Sequence, residues 1–374
     1  MAIVLIYPYI FYPVILLGLQ RFRSIQYDFR DGERLPSIAI VISVYNGEEY
    51  IKNKIDNLLE QTGFDKDCFI YIVSDGSTDK TEEVVESVMN DQIFLIKTGG
   101  RVGKTQAENM ALERIDSDVV LFTDVSTIFD KNVLYNLRKC MTDTRVGCVS
   151  TVDKVRGDNE SLADQEGLYV RYEMLLRKLE SNLGILVGAS GSGYVCKRQL
   201  AKPIPENMTR DMYTPLLARE HGLLSFSDEQ SICIVKTQQN PAKEYARKVR
   251  TIVGGYDTLW YMKRLMNPFK YGLFAFALIS HKLLRWFGWL FIIGIIFTTA
   301  VLMFGEHSKL YQLLFAFEIT FVLLSIAKYY GLIEIKMRYF DALYYFMLAN
   351  VASLHALYKS ITGKSAVIWE PTKR

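Results

Sequence analysis

Two apolar ends enclose a mixed polar middle, and that division limits the possible folds more than any other feature of the sequence. Ile3 to Leu19 is almost wholly apolar and about the length needed to cross a bilayer. Phe287 to Phe304 and Leu310 to Ile326 repeat the pattern near the other end. Pro8 and Pro13 would kink the first stretch, which membrane helices tolerate. It lacks the charged n-region and small-residue cleavage site of a signal peptide, so it reads as an uncleaved anchor. Arg21 and Arg23 follow it directly, and Lys328, Lys336 and Arg338 follow the last span. By the positive-inside rule both of these flanks are cytoplasmic, and so is the polar middle.

Other segments at the C-terminal end are expected to lie on the membrane. Tyr271 to Trp286 carries His281, Lys282 and Arg285 on an otherwise apolar helix, which suits the interface. Asp341 to Leu357 contains Asn350, Ser353 and His355 and is a poor lipid-facing span. It reads as a second interfacial helix, followed by a cytoplasmic basic tail with Lys364, Lys373 and Arg374; the alternative, a transmembrane helix, would put that tail outside, against the charge rule. The net charge of +3 over 374 residues is too small to argue for nucleic acid, and no Lys/Arg run suggests it. Five scattered cysteines without a C-x-x-C pair read as reduced core residues rather than a zinc site or disulfide framework.

The middle alternates strand and helix signals. Ile38 to Val44 is a continuous run rich in β-branched residues, the mark of a strand buried on both faces. Ile51, Ile55, Leu58 and Leu59 recur at helical spacing. Phe69 to Val73, Ile93 to Ile96 and Val119 to Thr123 are further strands. Between them, Val84, Val85 and Val88, and then Ala107, Met110 and Ala111, mark helices, the first with Asp79 and Glu82 as an expected capping box. This pitch predicts an α/β fold with a mainly parallel sheet. The fourth strand stops at Asp124, followed by Ser126 and Thr127. In open α/β sheets ligands sit beyond the carboxyl ends of the strands, and a carboxylate with hydroxyls beside it suits a hard divalent cation. From Arg145 to Thr237 the pattern loosens, with a strand at Cys148 to Val152, a helix near Gln165 to Leu179 and the small-residue run Gly188 to Gly193.

Four segments, in order, resemble the motifs of inverting family 2 glycosyltransferases, closest to the membrane-integrated group of hyaluronan, chitin-oligosaccharide and cellulose synthases. They are Val41 to Glu49, Val73 to Asp79, Arg101-x-Gly-Lys104 and Asp124-x-Ser126. Ser280 to Arg285 and the terminal Trp369 to Arg374 extend the likeness over nearly the whole chain. The resemblance implies a GT-A type catalytic domain over 36–250, after an anchor at 1–20. Interfacial helices at 251–286, a transmembrane pair at 287–329 and a last helix with its tail at 338–374 would follow it.

The resemblance also implies roles. Tyr45, Glu48, Asp75, Lys104 and Arg250 would bind the nucleotide-sugar donor, expected to be UDP-linked. Asp124 matches the first carboxylate of the family's Asp-x-Asp, so Mg²⁺ or Mn²⁺ would sit there, but Ser126 replaces the second. Asp211 matches the catalytic base that takes the proton of the acceptor hydroxyl. An N-cap role for the helix from Met212 to Glu220 is compatible with that. Its neighbour Arg210, where the family usually has Glu, either acts on Asp211 electrostatically or turns to solvent. Ser190, Gly191 and Ser192 match an acceptor-side loop.

The synthases' Gln-x-x-Arg-Trp becomes Glu244-Tyr-Ala-Arg247-Lys248, which keeps Arg247 as a catalytic cation and loses the Trp, with Tyr245 or Trp260 as possible substitutes. The expected partners are therefore a nucleotide-sugar, a glycan or lipid-linked acceptor, and the lipid bilayer, with a homo-oligomer or an export partner if a polymer leaves the cell. Two rivals stay open. One is a transferase adding a single sugar to a polyprenyl-linked acceptor; the other is a non-catalytic nucleotide-binding scaffold.

Overall fold

In the computed structural model, β1 (Ile38–Val44) shows why the middle of the chain folds as it does. Its alternate residues enter two different cores. Ile38, Ile40 and Ile42 pack on one side of the sheet, Ala39 and Val41 on the other, and all five are at most 1 % exposed. Each large apolar side chain so buried contributes roughly 1.5–3 kcal/mol, enough to fix which strand lies at the centre. The structure describes residues 1–30, 34–156, 160–236, 241–306, 308–333 and 337–363.

Around β1 lie β2 (Cys68–Ser74), β3 (Ile93–Lys97) and β4 (Val119–Thr123), all parallel to it, in the order β3-β2-β1-β4. The chain winds outward from β1 through β2 to β3, then returns to place β4 on the other side. That reversal makes a topological switch point beside β1, where ligands of open α/β sheets bind. The sheet continues through β7 (Gly193–Lys197), β6 (Val146–Arg156), β8 (Leu224–Lys236) and β5 (Ile128–Phe129), with β7 antiparallel to both β4 and β6. The eight strands form one mixed sheet, parallel in its first half. β6 is longer than the Cys148 to Val152 expected, because β8 pairs with it as far as Arg156 across two register shifts.

The expected capping box does not form. The helix Thr81–Glu86 starts after Lys80, and Asp79 bonds instead to the Thr81 amide at 3.0 Å and the Glu48 amide at 3.1 Å. Glu82 reaches sideways to the Ser74 hydroxyl at 2.7 Å and to Lys97 at 2.9 Å. A carboxylate with a cation and a hydroxyl to hand gains more there than from one backbone amide.

The first apolar stretch is two helices, Ala2–Ile6 and Phe11–Gln20, parted around Pro8. Tyr12 and Leu16 in the second are fully buried, and the Tyr12 hydroxyl donates to Glu180 at 2.8 Å. The Tyr271 to Trp286 segment expected to lie in the interface is helical through a π-helical turn, Ile279–Leu283, which turns His281 and Lys282 inward, toward Glu173. Gly288–Glu306 and Lys309–Tyr329 follow, each long and apolar enough to cross a membrane. The last helix, Arg338–Ile361, packs Ala352 and Ala356 against Val249, Val253 and Tyr256 of the helix Pro241–Tyr261. Lys336, Lys364 and the terminal Trp369 to Arg374 lie outside the described residues.

Candidate active site

The carboxyl ends of the adjacent strands β2, β1 and β4 deliver Asp75, Tyr45 and Asp124 to one edge of the sheet. Asp75 is 4 % exposed and accepts from the amides of Val102 (2.6 Å) and Gly103 (3.1 and 3.2 Å) and from Arg101 Nε at 3.3 Å. The turn after it fits closely under that loop: a Cβ on Gly76, whose φ is +66°, would lie 2.7 Å from the Gly100 carbonyl carbon. The Arg101 guanidinium stacks over the Tyr45 ring, 3.4 Å from its centroid. Arg101 thus ties the two expected base-binding residues together. Glu48 accepts from the Lys80 amide at 3.0 Å, joining the turn after β1 to the one after β2.

Asp124 is met by Lys104, whose Nζ lies 2.6 Å from Oδ1. Lys104 opens the helix Lys104–Leu112, and Glu108 one turn later is 3.9 Å from the same Nζ. Burial disfavours the Lys104 charge, but the carboxylates of Asp124 and Glu108 outweigh it and hold the ammonium above the usual lysine range. Glu108 in turn accepts from Arg210 Nε at 2.9 Å. Burial holds the Glu108 carboxyl above its ordinary value even with these two cations beside it. The solvent-facing alternative for Arg210 does not hold. At 5 % exposure its guanidinium is turned inward, donating also to the Lys202 carbonyl at 2.7 Å and to Asn109.

The turn that carries Asp124 and Ser126 is fixed from beneath. Lys54, with no exposed surface, donates to the Thr123 hydroxyl (2.9 Å), the Thr127 carbonyl (2.9 Å) and the Thr127 hydroxyl (3.2 Å), over the Phe129 ring. Burial lowers its pKa to about 8, opposed by Cys233 and by Asp124. Asp124 and Ser126 offer the oxygen donors that suit a hard divalent cation. Among the described residues no group of three His, Cys, Asp or Glu side chains gathers around one point. A diphosphate and water would therefore complete the shell.

Asp211 stands on the far side of this edge. The helix Arg210–Glu220 begins two residues earlier than expected, so Asp211 occupies its first turn and Thr209 its cap position. Its carbonyl accepts from the Ala189 amide at 3.0 Å, and a Cβ on Gly191 would lie 3.3 Å from Oδ2. Asp211 and the Gly188–Gly193 run are therefore packed against each other. Within that run the expected sugar-binding hydroxyl of Ser190 is turned inward, donating to Asp153 at 2.6 Å, and accepts from the Ser192 amide at 3.2 Å. Asp153 itself, held above its usual range by burial, keeps one carboxylate oxygen without a hydrogen-bond partner.

Arg247 and Arg250 lie on the helix Pro241–Tyr261, seven and four residues before Gly254, hence on the same helical face. Gly254 packs on Thr209, with a notional Cβ only 2.6 Å from its methyl group, so this face passes the start of the Asp211 helix. Tyr245 turns toward the last helix, with its hydroxyl 3.2 Å from His355 Nδ1. Lys248 lies over the Tyr345 ring, and Trp260 is 43 % exposed. The Glu244 side chain lies outside what the structure describes.

Sequence reasoning missed Lys54, Glu108 and Asp153, and it missed the partners of His281. Both ring nitrogens of His281 face carboxylates, Glu180 at 2.6 Å and Glu173 at 3.1 Å, while Arg285 reaches Glu173 at 2.9 Å. Next to it, Lys282 comes within 3.5 Å of a notional Cβ on Gly188, linking the segment Ile279–Leu283 to the loop against Asp211. For Lys54 the one available signal was a charge at the helical spacing of Ile51 and Leu58, on the apolar side of its helix.

The profile of the glycosyl transferase family 2 matches residues 39–194. A poly-beta-1,6-N-acetyl-D-glucosamine synthase of Staphylococcus aureus (strain COL) is 22 % identical over 235 residues, 61 % of this chain and 56 % of that protein. The Staphylococcus epidermidis protein of the same name is 19 % identical over 320 residues, 82 % of this chain and 76 % of that one. The chain spans little more than half the length of the Staphylococcus aureus relative. Among solved structures, the mannosyltransferase PcManGT of Pyrobaculum calidifontis, in complex with GDP-Man and Mn²⁺, superposes with a TM-score of 0.74 at 18 % identity, covering 97 % of this chain and 98 % of that one. At that identity the likeness speaks for the fold, a GT-A-like sheet followed by apolar helices. Residues 39–194 thus form a glycosyl transferase family 2 domain.

Proposed function

We propose that the chain is a membrane-bound inverting glycosyltransferase that moves a sugar from a nucleotide-sugar, UDP-linked in the first reading, to a growing glycan at the cytoplasmic face. The observation that carries this reading is the convergence on Lys104: its ammonium is held by Asp124 and Glu108 and also feels the charge of Asp211. In this reading Asp75 and Tyr45 hold the base and ribose, and Lys104, Arg247 and Arg250 take the diphosphate. A divalent cation held by Asp124 and Ser126 would neutralise the leaving group. Asp211 removes the proton of the acceptor hydroxyl as its oxygen bonds to the anomeric carbon. The bond from that carbon to the diphosphate breaks on the opposite side, and the configuration inverts. The names of the staphylococcal relatives support a polysaccharide product.

A second reading, transfer of one sugar to a polyprenyl-linked acceptor, is favoured by Lys248 standing where the synthases have Trp and by Tyr245 being turned to His355. The name of the mannosyltransferase adds GDP-mannose to the donors worth trying. Purified chain in nanodiscs with Mn²⁺ or Mg²⁺ and a panel of UDP- and GDP-sugars tests both. Nucleotide release with a long product supports the first reading, and release only with a lipid-phosphate acceptor and a one-sugar product supports the second. Nucleotide binding with no release from any donor would overturn both and leave a non-catalytic scaffold.

A further inference from the structure

On the side of the Asp211 helix away from the site, a cavity of about 290 Å³ opens between three separate segments. Arg23 comes from the stretch after the first apolar helices, Arg219 from the last turn of the Asp211 helix, and Lys270 from the short helix Pro268–Tyr271. No acidic residue lines it, and among the described residues none of these three cations is in an ion pair. Glu220, the neighbouring carboxylate in sequence, is engaged by Arg264, at 2.7 Å to Nη2, and feels the charge of Lys270 only at longer range.

Arg23 and Arg219 share a cavity with no carboxylate in its lining, and their repulsion leaves a trace. Burial together with the charge of Arg23 lowers the pKa of the Arg219 guanidinium from its ordinary value. An anion in the cavity would relieve that repulsion and accept charge-assisted hydrogen bonds. The volume lies at the low end of small-ligand sites, roughly 300–1,000 Å³, fit for a headgroup rather than a glycan. Phe269, which lines it, is 99 % exposed, and Phe22, next to Arg23 in sequence, is 91 % exposed. A fully bared phenyl ring in the lining of a basic cavity suits a boundary where one phase is hydrocarbon and the next is phosphate.

We propose that this cavity binds the phosphate group of an anionic phospholipid, with Arg23, Arg219 and Lys270 as its ligands and Phe269 entering the acyl layer beside it. Because Arg219 and Asp211 share one helix, an occupied cavity also anchors the element that carries the candidate base. The site is separate from the sugar-transfer reading and stands or falls without it.

The test uses the full chain in neutral detergent and follows its thermal midpoint on addition of phosphatidylglycerol, phosphatidylcholine or inorganic phosphate. Saturating phosphatidylglycerol is expected to raise the midpoint by about 3 °C or more, and phosphatidylcholine to leave it in place. Arg219→Gln combined with Lys270→Gln should shift the phosphatidylglycerol titration at least about tenfold to higher lipid, whereas Arg219→Lys, which keeps the charge, should retain the response. An equal shift with inorganic phosphate alone, lost in the double variant, would keep the anion site but overturn the lipid as its source. An unchanged phosphatidylglycerol response in a folded double variant, or no response in the unaltered chain, would overturn the site.

Discussion

Lys104 Nζ lies 2.6 Å from Asp124 Oδ1, so the carboxylate expected to hold a metal already carries an ammonium as its counter-ion. A cation bound there must compete with it, and a donor diphosphate would give Lys104 a second partner. Lys104→Met is therefore expected to tighten Mn²⁺ binding in the absence of donor. It should also lower kcat/KM for the nucleotide-sugar by about 10- to 100-fold, the worth of a charge-assisted phosphate contact. Mn²⁺ titration with and without nucleotide reads both effects, and unchanged metal affinity would contradict the competition.

Lys54 offers a pH signature. Its folded pKa of about 8 lies below the ordinary 10.5. Between those two values the unfolded chain holds a proton that the folded chain has released, so the contribution of Lys54 to stability rises with pH across that window. Below pH 8 the folded state carries a buried ammonium. Lys54→Met should remove this rise. Thermal midpoints of both proteins at pH 7, 8.5 and 10 would show it as a rise of the unaltered chain's midpoint relative to the variant's. A constant difference would contradict it.

Arg210 and Glu108 are each at most 5 % exposed and bonded at 2.9 Å. Removing one charge leaves the other buried without its partner. Glu108→Gln is expected to destabilise by about 3–5 kcal/mol, and adding Arg210→Met should recover much of that loss. Thermal unfolding of the two single variants and the double variant checks the coupling. Additive losses would argue against it.

Gly191 leaves room for Asp211. A Cβ would stand 3.3 Å from Oδ2, closer than ordinary van der Waals contact, so Gly191→Ala must push the carboxylate aside. With donor contacts elsewhere, kcat should drop at least about tenfold while the donor KM stays within about twofold. A large rise in KM with kcat intact would place the loop on the donor side instead.

The parallel half of the sheet was legible because its strands are short continuous apolar runs separated by helical periodicity, as at Ile38 to Val44. The strand-end position of Asp124 followed from the same pattern. What could not be read is where charged residues point once strands and helices pack. Lys54 sits on a helix whose apolar spacing already accounts for its buried face, yet it is wholly buried because Thr123 and Thr127 supply oxygens beneath that face. Arg210 looked like a companion of Asp211, but consecutive helix residues point about 100° apart, and Arg210 faces Glu108. Ser190 looked available to a sugar until Asp153 arrived from β6, a strand distant in sequence.

The most direct measurement is nucleotide release from the productive donor by the unaltered chain and by Asp211→Asn, each shown to be folded and to bind donor. The account predicts turnover by the first and a fall of about 10²–10⁴ in kcat for the second, with donor affinity retained, the range expected when a general base is removed. Turnover by Asp211→Asn close to that of the unaltered chain would contradict it.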